Sequence, residues 1–217
     1  MVKGKKAWLS LLVAVVVLGV AIWFSQREDT PGGPSTGTAT AADVQRARDE
    51  LARLVVAPED TGKPYDRDDW PHWVSQGDGC DTREEALKLQ GTAVTTGAAC
   101  KITSGSWTSR YDGLVITDST KTDLDHVVPL AEANRSGTRG WTKKQRQAFA
   151  NDLDQLLVVS ASSNRSKGDQ DPARWLPDAA YSCDYAVRWV DVKSKYALTV
   201  DQAEHEALNS LLLRCPR

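Results

Sequence analysis

Three consecutive stretches decide the fold: Asp123-Leu124-Asp125-His126-Val127-Val128-Pro129-Leu130, then Asn151-Asp152-Leu153-Asp154-Gln155-Leu156-Leu157-Val158-Val159, then Ser160-Ala161-Ser162-Ser163-Asn164-Arg165-Ser166-Lys167-Gly168-Asp169. In the first, a short apolar alternation from Leu124 to Val128 predicts a strand, ended by Pro129, which has no N–H to give a ladder. In the second, an entry turn at Asn151-Asp152 leads into the apolar run Leu156–Val159, a second strand. The third reads as a short helix with a basic polar face, on which Asn164 and Lys167 lie three residues apart and share a side. Adjacent strand residues point to opposite faces, so Asp125 and His126 can serve one site only if the chain bends there. An isolated Asp-His pair is most often a surface dipeptide. The ordered strand, strand and helix around this one give it another weight.

Working outward, Leu114-Val115-Ile116 after the Tyr111-Asp112-Gly113 turn predicts one more strand. Helical spacing begins at Ala41 with Val44, Ala47, Leu51 and Leu54, and recurs through Tyr185, Val187, Trp189, Val190, Val192 and Tyr196. Capping-box patterns at Thr82-x-x-Glu85, Thr142-x-x-Gln145 and Thr199-x-x-Gln202 mark three further helix starts. No internal repeat is visible. The fold class is α+β: a small antiparallel hairpin surrounded by several helices.

The N-terminus decides the compartment. Lys3, Lys5 and Lys6 precede an uninterrupted apolar run, Ala7–Phe24, of 18 residues, which as a helix spans roughly 27 Å, close to a bilayer core. No small-x-small cleavage site follows closely, so residues 1–25 read as a membrane anchor in preference to a cleaved signal, and in both cases the body is exported. Residues 26–40, rich in Thr, Pro, Gly and Ser, read as a flexible linker. Residues 41–217 then form one exported domain. All four cysteines, Cys80, Cys100, Cys183 and Cys215, fall in it, which fits structural disulfides in an oxidising compartment. Four cysteines allow three pairings; proximity along the chain favours Cys80–Cys100 and Cys183–Cys215.

The formal net charge is −2, and without the three N-terminal lysines the body carries 24 basic and 29 acidic side chains, or −5. That excludes a coat-like nucleic-acid binder acting through bulk charge, though not a local basic site. Such a site is present: between Ala133 and Ala150 stand Arg135, Arg139, Lys143, Lys144 and Arg146 and no acid. The run suits a grip on a phosphate backbone as well as it suits a solvated helix face. Trp70-Pro71-His72-Trp73 reads as an aromatic loop packed on the domain with His72 outward. His205 reads as a surface residue, and Asp169 and Asp171 as turn or cap residues.

The ordered set Asp-His, strand, Asn-x-x-Lys resembles the HNH family of ββα-metal nucleases. The flanking residues, down to Trp175-Leu176-Pro177, are similar to the branch at the C-terminus of the GmrSD restriction endonucleases and to exported actinobacterial-type members of it. The resemblance implies a ββα-metal core over residues 114–170. It implies that His126 is the general base, that Asp125 and Asn164 hold one divalent ion, Mg²⁺ before Mn²⁺, and that Lys167 and Arg165 contact phosphate. Gln155 falls where the family has its middle Asn, a residue that braces the loop of the catalytic His. Ser160 and Ser163 occupy positions where many members carry zinc-knuckle cysteines, so no structural zinc is expected and the disulfides stand in for it.

The resemblance thus implies an endonuclease acting on nucleic acid, DNA more than RNA, with little sequence specificity and no obligate protein partner. Two alternatives stand beside it. One is an HNH fold without turnover, through Gln155. The other is a wall-binding module that uses the body's six tryptophans as a stacking surface.

Overall fold

The computed structural model describes residues 38–216. The Ala7–Phe24 run and nearly all of the proposed linker lie outside the described residues. Among those described, no helix is long and apolar enough to cross a membrane.

In chain order the elements are α1 (Ala41–Leu51), β1 (Ser75–Gly77), β2 (Cys80–Asp81), α2 (Thr82–Gln90), β3 (Thr92–Thr96), β4 (Ile102–Thr108) and β5 (Val115–Ile116). They continue as β6 (Thr122–His126), α3 (Leu130–Arg135), α4 (Lys143–Ala150), β7 (Leu156–Ser160), α5 (Ala161–Lys167), α6 (Ser182–Lys195) and α7 (Gln202–Arg214). The strands form three small antiparallel sheets, β1–β2, β3–β4–β5 and β6–β7. The α+β expectation holds.

β6 and β7 pair in register, with Thr122 opposite Ser160 and His126 opposite Leu156. Both faces of this ribbon are covered, which is why β7 reads as an unbroken apolar run and not as an alternation. Leu157 and Val159 join the main core of α1, α4, α6 and α7, while Leu124, Leu156 and Val158 pack with Leu87 and Trp107 in a second, smaller core. A two-stranded ribbon leaves open edges. Gln90 closes one: its amide donates to the Leu156 carbonyl at 2.8 Å and accepts the Val158 N–H at 2.9 Å.

α6 is the hub of the main core, with Tyr185, Ala186, Val187, Trp189, Val190 and Val192 all buried. The cysteines pair as proximity suggested. Cys183–Cys215 joins the start of α6 to the end of α7, and Cys80–Cys100 fastens β2 to the residues just before β4.

Two helix starts differ from expectation. α2 is capped by Asp81 in a box with Glu84, and α7 by Asp201 in a box with Glu204. Thr82 is instead drawn away to Asn151 and to the Val74 carbonyl, and Thr199 donates its N–H to Ser136 beside the bridge between Val56 and Val200. In each case a nearby carboxylate, one residue before Thr82 and two after Thr199, outcompetes the hydroxyl as the acceptor for orphan helix N–H groups. Thr142 with Gln145 caps α4 as expected.

Candidate active site

Ser160 ends β7 and at once caps α5. Its Oγ accepts the Ser163 N–H at 3.2 Å and donates to Asp112 at 2.5 Å, and the Ser163 hydroxyl donates to the same carboxylate oxygen at 2.6 Å. Burial works against the Asp112 charge, but the hydroxyls of Ser160, Ser163 and Ser109 outweigh it and hold the carboxyl down at about 2. Ser160 and Ser163 are thus fastened by a carboxylate, and the disulfides lie elsewhere.

So anchored, α5 turns Asn164 and Lys167 onto the face of β6 that carries Asp123 and Asp125. Asn164 donates from Nδ2 to Asp123 at 3.0 Å, which leaves its amide oxygen unbonded among the described residues. Lys167 donates from Nζ to Asp125 Oδ2 and to the His126 carbonyl, both at 2.8 Å, and Tyr111 donates its hydroxyl to the same Oδ2 at 2.6 Å. Burial lifts the Asp125 carboxyl and lowers the Lys167 ammonium, while their mutual attraction opposes both shifts. Asp125 Oδ1 takes no hydrogen bond among the described residues. Asp125, Asn164 and Asp123 together offer hard oxygens of the kind a magnesium-sized cation takes, and the donor set fits one divalent ion.

Lys167 is not where the phosphate-contact expectation put it. The helical phase that sets it level with Asn164 turns it fully into the core, with no exposed surface, where Asp125 neutralises it. Arg165 is exposed at the end of the same helix.

His126 is the last residue of β6, and its ring points to the face opposite Asp125, as strand alternation requires. The chain does not bend between Asp125 and His126, as a shared site was expected to require; the bend follows at Val127–Val128. What links the two residues is Lys167, which donates to the Asp125 carboxylate and to the His126 carbonyl alike. Nε2 lies 2.8 Å from the Ala150 carbonyl. A carbonyl only accepts, so Nε2 carries the hydrogen and Nδ1 holds the lone pair. The ring stacks on Trp73 with centroids 5.5 Å apart and planes 7° from parallel. Burial drives the imidazole pKa down, the Ala150 carbonyl opposes it, and the charges of Lys167, His72 and Arg67 add to the fall, which ends at about 3.

Gln155 is fully buried and donates from side-chain Nε2 to the Phe149 carbonyl at 2.5 Å, while its backbone carbonyl accepts the Val127 N–H at 2.8 Å. Gln155 and His126 therefore hold the adjacent carbonyls of Phe149 and Ala150 at the end of α4. Asp123, Tyr111 and Trp73 were not anticipated. The i, i+2 spacing of Asp123 and Asp125 was a usable signal for the first; nothing local marks Tyr111 or Trp73.

The basic run is less free than its count suggests. Arg135 pairs with Glu59, Glu132 and Asp169, Arg139 pairs with Asp60, and Arg146 lies over the Trp70 ring. Lys143 and Lys144 are exposed at the start of α4. Nor do the six tryptophans make a platform: Trp70, Trp107 and Trp189 are buried, and Trp73, Trp141 and Trp175 pack partly buried against the two cores. Among the described residues, the acidic cluster Glu59, Asp171 and Asp201 shares no residue with Asp125, His126 or Asn164.

The family described as GmrSD restriction endonucleases, C-terminal domain, matches residues 81–211. The chain belongs to that family. All of Asp123, Asp125, His126, Gln155, Asn164 and Lys167 fall within the GmrSD C-terminal match, whereas Trp73 and the loop that carries it precede it. Over 214 residues the chain is 42% identical to an "Uncharacterized secreted protein" of Arthroderma benhamiae, covering 97% of this chain and 100% of that protein. That relative is fungal, so likeness to this chain is not confined to actinobacterial-type members. No solved structure matches.

Proposed function

We propose that the chain is an exported endonuclease that hydrolyses phosphodiester bonds of nucleic acid, DNA before RNA, with His126 as general base and one divalent ion, Mg²⁺ first, held by Asp125 and Asn164. The observation that carries this reading is the His126 tautomer. With its hydrogen committed to the Ala150 carbonyl, the ring is a neutral base whose lone pair sits at Nδ1, the form needed to take a proton from water. Its own proton affinity is low in this buried setting, and an anionic phosphate beside it raises that affinity.

Asp125 is oriented by Tyr111 and Lys167, and Asn164 by Asp123, so oxygens of both remain for the ion. A divalent ion there supplies charge stabilisation for the phosphate and the leaving oxygen. Gln155 braces the α4 end against which His126 is set. The similarity to a secreted fungal protein and the N-terminal Ala7–Phe24 run both support a body outside the cytoplasm, held by an anchor or released.

Plasmid nicking tests the reading. Wild type is expected to nick in Mg²⁺ and to stop in EDTA. His126→Ala should lose about 10²–10⁴-fold in rate while melting like wild type. Nicking by wild type in EDTA, or full activity in the His126 variant, would overturn it.

A further inference from the structure

The loop that closes over His126 lies outside the family match and is built with more constraint than packing demands. Trp73, whose ring stacks on His126, has φ at +55°, a left-handed conformation that is costly for a bulky side chain. Asn151 holds it there. Its side chain donates to the Pro71 carbonyl at 2.8 Å and accepts the Val74 N–H at 3.0 Å, straddling His72 and Trp73. Asn151 directly follows Ala150, whose carbonyl receives the His126 ring. Loop and base are thus pinned to neighbouring residues at one helix end.

The same loop presents a cation. His72 is set edge-on to Trp73, with ring centroids 5.2 Å apart. Its Nδ1 lies 2.8 Å from the Trp70 carbonyl, which only accepts, so Nδ1 carries the hydrogen and Nε2 is the acceptor. Arg67 donates to that Nε2 at 3.0 Å. A neutral histidine used as an acceptor orients the guanidinium without cancelling its charge. No carboxylate pairs with Arg67 among the described residues: Asp69 is taken by Lys63, and Asp66 accepts the Asp68 N–H. Arg67 is exposed, and its charge is felt at His126.

We infer that Arg67, held by His72 at the start of the Arg67–Asp69 turn that leads into Trp70–Trp73, binds a backbone phosphate of the nucleic acid beside His126. A guanidinium offers several N–H donors in a fixed fork, so spending donors on His72 and on the Tyr65 hydroxyl leaves others to meet phosphate oxygens. This takes over the phosphate contact that the buried Lys167 cannot make. It rests on the nuclease reading, extends the site beyond the family match, and concerns substrate binding and not the chemical step.

The test compares the full chain with Arg67→Gln and Arg67→Lys, using Mg²⁺-dependent plasmid nicking and anisotropy of a labelled DNA duplex in EDTA across a salt series. Arg67→Gln should raise KM with kcat little changed and flatten the log–log salt slope of binding by about 0.9, the value of one phosphate contact. Arg67→Lys should keep the slope and restore KM only in part, since Lys cannot donate to His72 and phosphate as a fork. A wild type that binds and nicks beside an Arg67→Gln protein with unchanged KM and slope overturns this inference and leaves the nuclease reading intact. A wild type that neither binds nor nicks overturns both.

Discussion

Asp125 meets two donors at one oxygen, and the balance between them is set by burial. Lys167 contributes no surface to solvent, so its charge is tolerable only because Asp125 lies 2.8 Å away. Removing one partner of such a pair strands the other as an uncompensated buried charge, a loss of roughly 3–5 kcal/mol. Lys167→Met should therefore lower stability in urea by that order, and adding Asp125→Asn should recover part of the loss. A Lys167→Met protein with wild-type stability and a raised KM would instead return Lys167 to the phosphate. The sequence spacing correctly put Asn164 and Lys167 on one side of a helix. It could not say that this side faces the core, because burial is set by where the helix docks.

At the scale of elements, α5 is seven residues long, too short to persist alone, and its start depends on Asp112. That carboxyl binds its hydroxyl partners in the charged form, so its pKa falls from 3.8 to about 2. For an acid depressed in the folded state, the stabilisation is present above 3.8 and lost as the pH falls toward 2. Asp112→Ala should cost about 1.5–3 kcal/mol at neutral pH, the order of a charge-assisted hydrogen bond. The gap between variant and wild type should close between pH 4 and 2, as urea melts at several pH values would reveal. A gap that stays constant over that window would refute the role of the charge. The same element explains why the serines at 160 and 163 were hard to read. Their partner lies 48 and 51 residues earlier, in a turn whose own signal was only Tyr-Asp-Gly.

For the molecule as a whole, two covalent ties bracket the site. Cys183–Cys215 closes α6 onto α7 across a sequence separation of 32, and Cys80–Cys100 across one of 20. By loop-closure entropy each stabilises by about 3–4 kcal/mol. Cys183→Ser with Cys215→Ser should accordingly lower the melting temperature more than any single surface change, and reductant should do the same to wild type. A melting curve insensitive to both would show that the helical core needs no tie.

The sequence alone determined the hairpin, the helix after it, the capped start of α4 and the family, because each is encoded in contiguous residues whose periodicity or order survives without a partner. Tertiary structure decided the rest: that Lys167 is spent on Asp125, that Arg135 and Arg139 are spent on carboxylates, and that Trp73 and Arg67 stand at His126. Those outcomes depend on which segments, distant along the chain, meet in space. A local pattern carries no record of the charge or ring that will arrive opposite it.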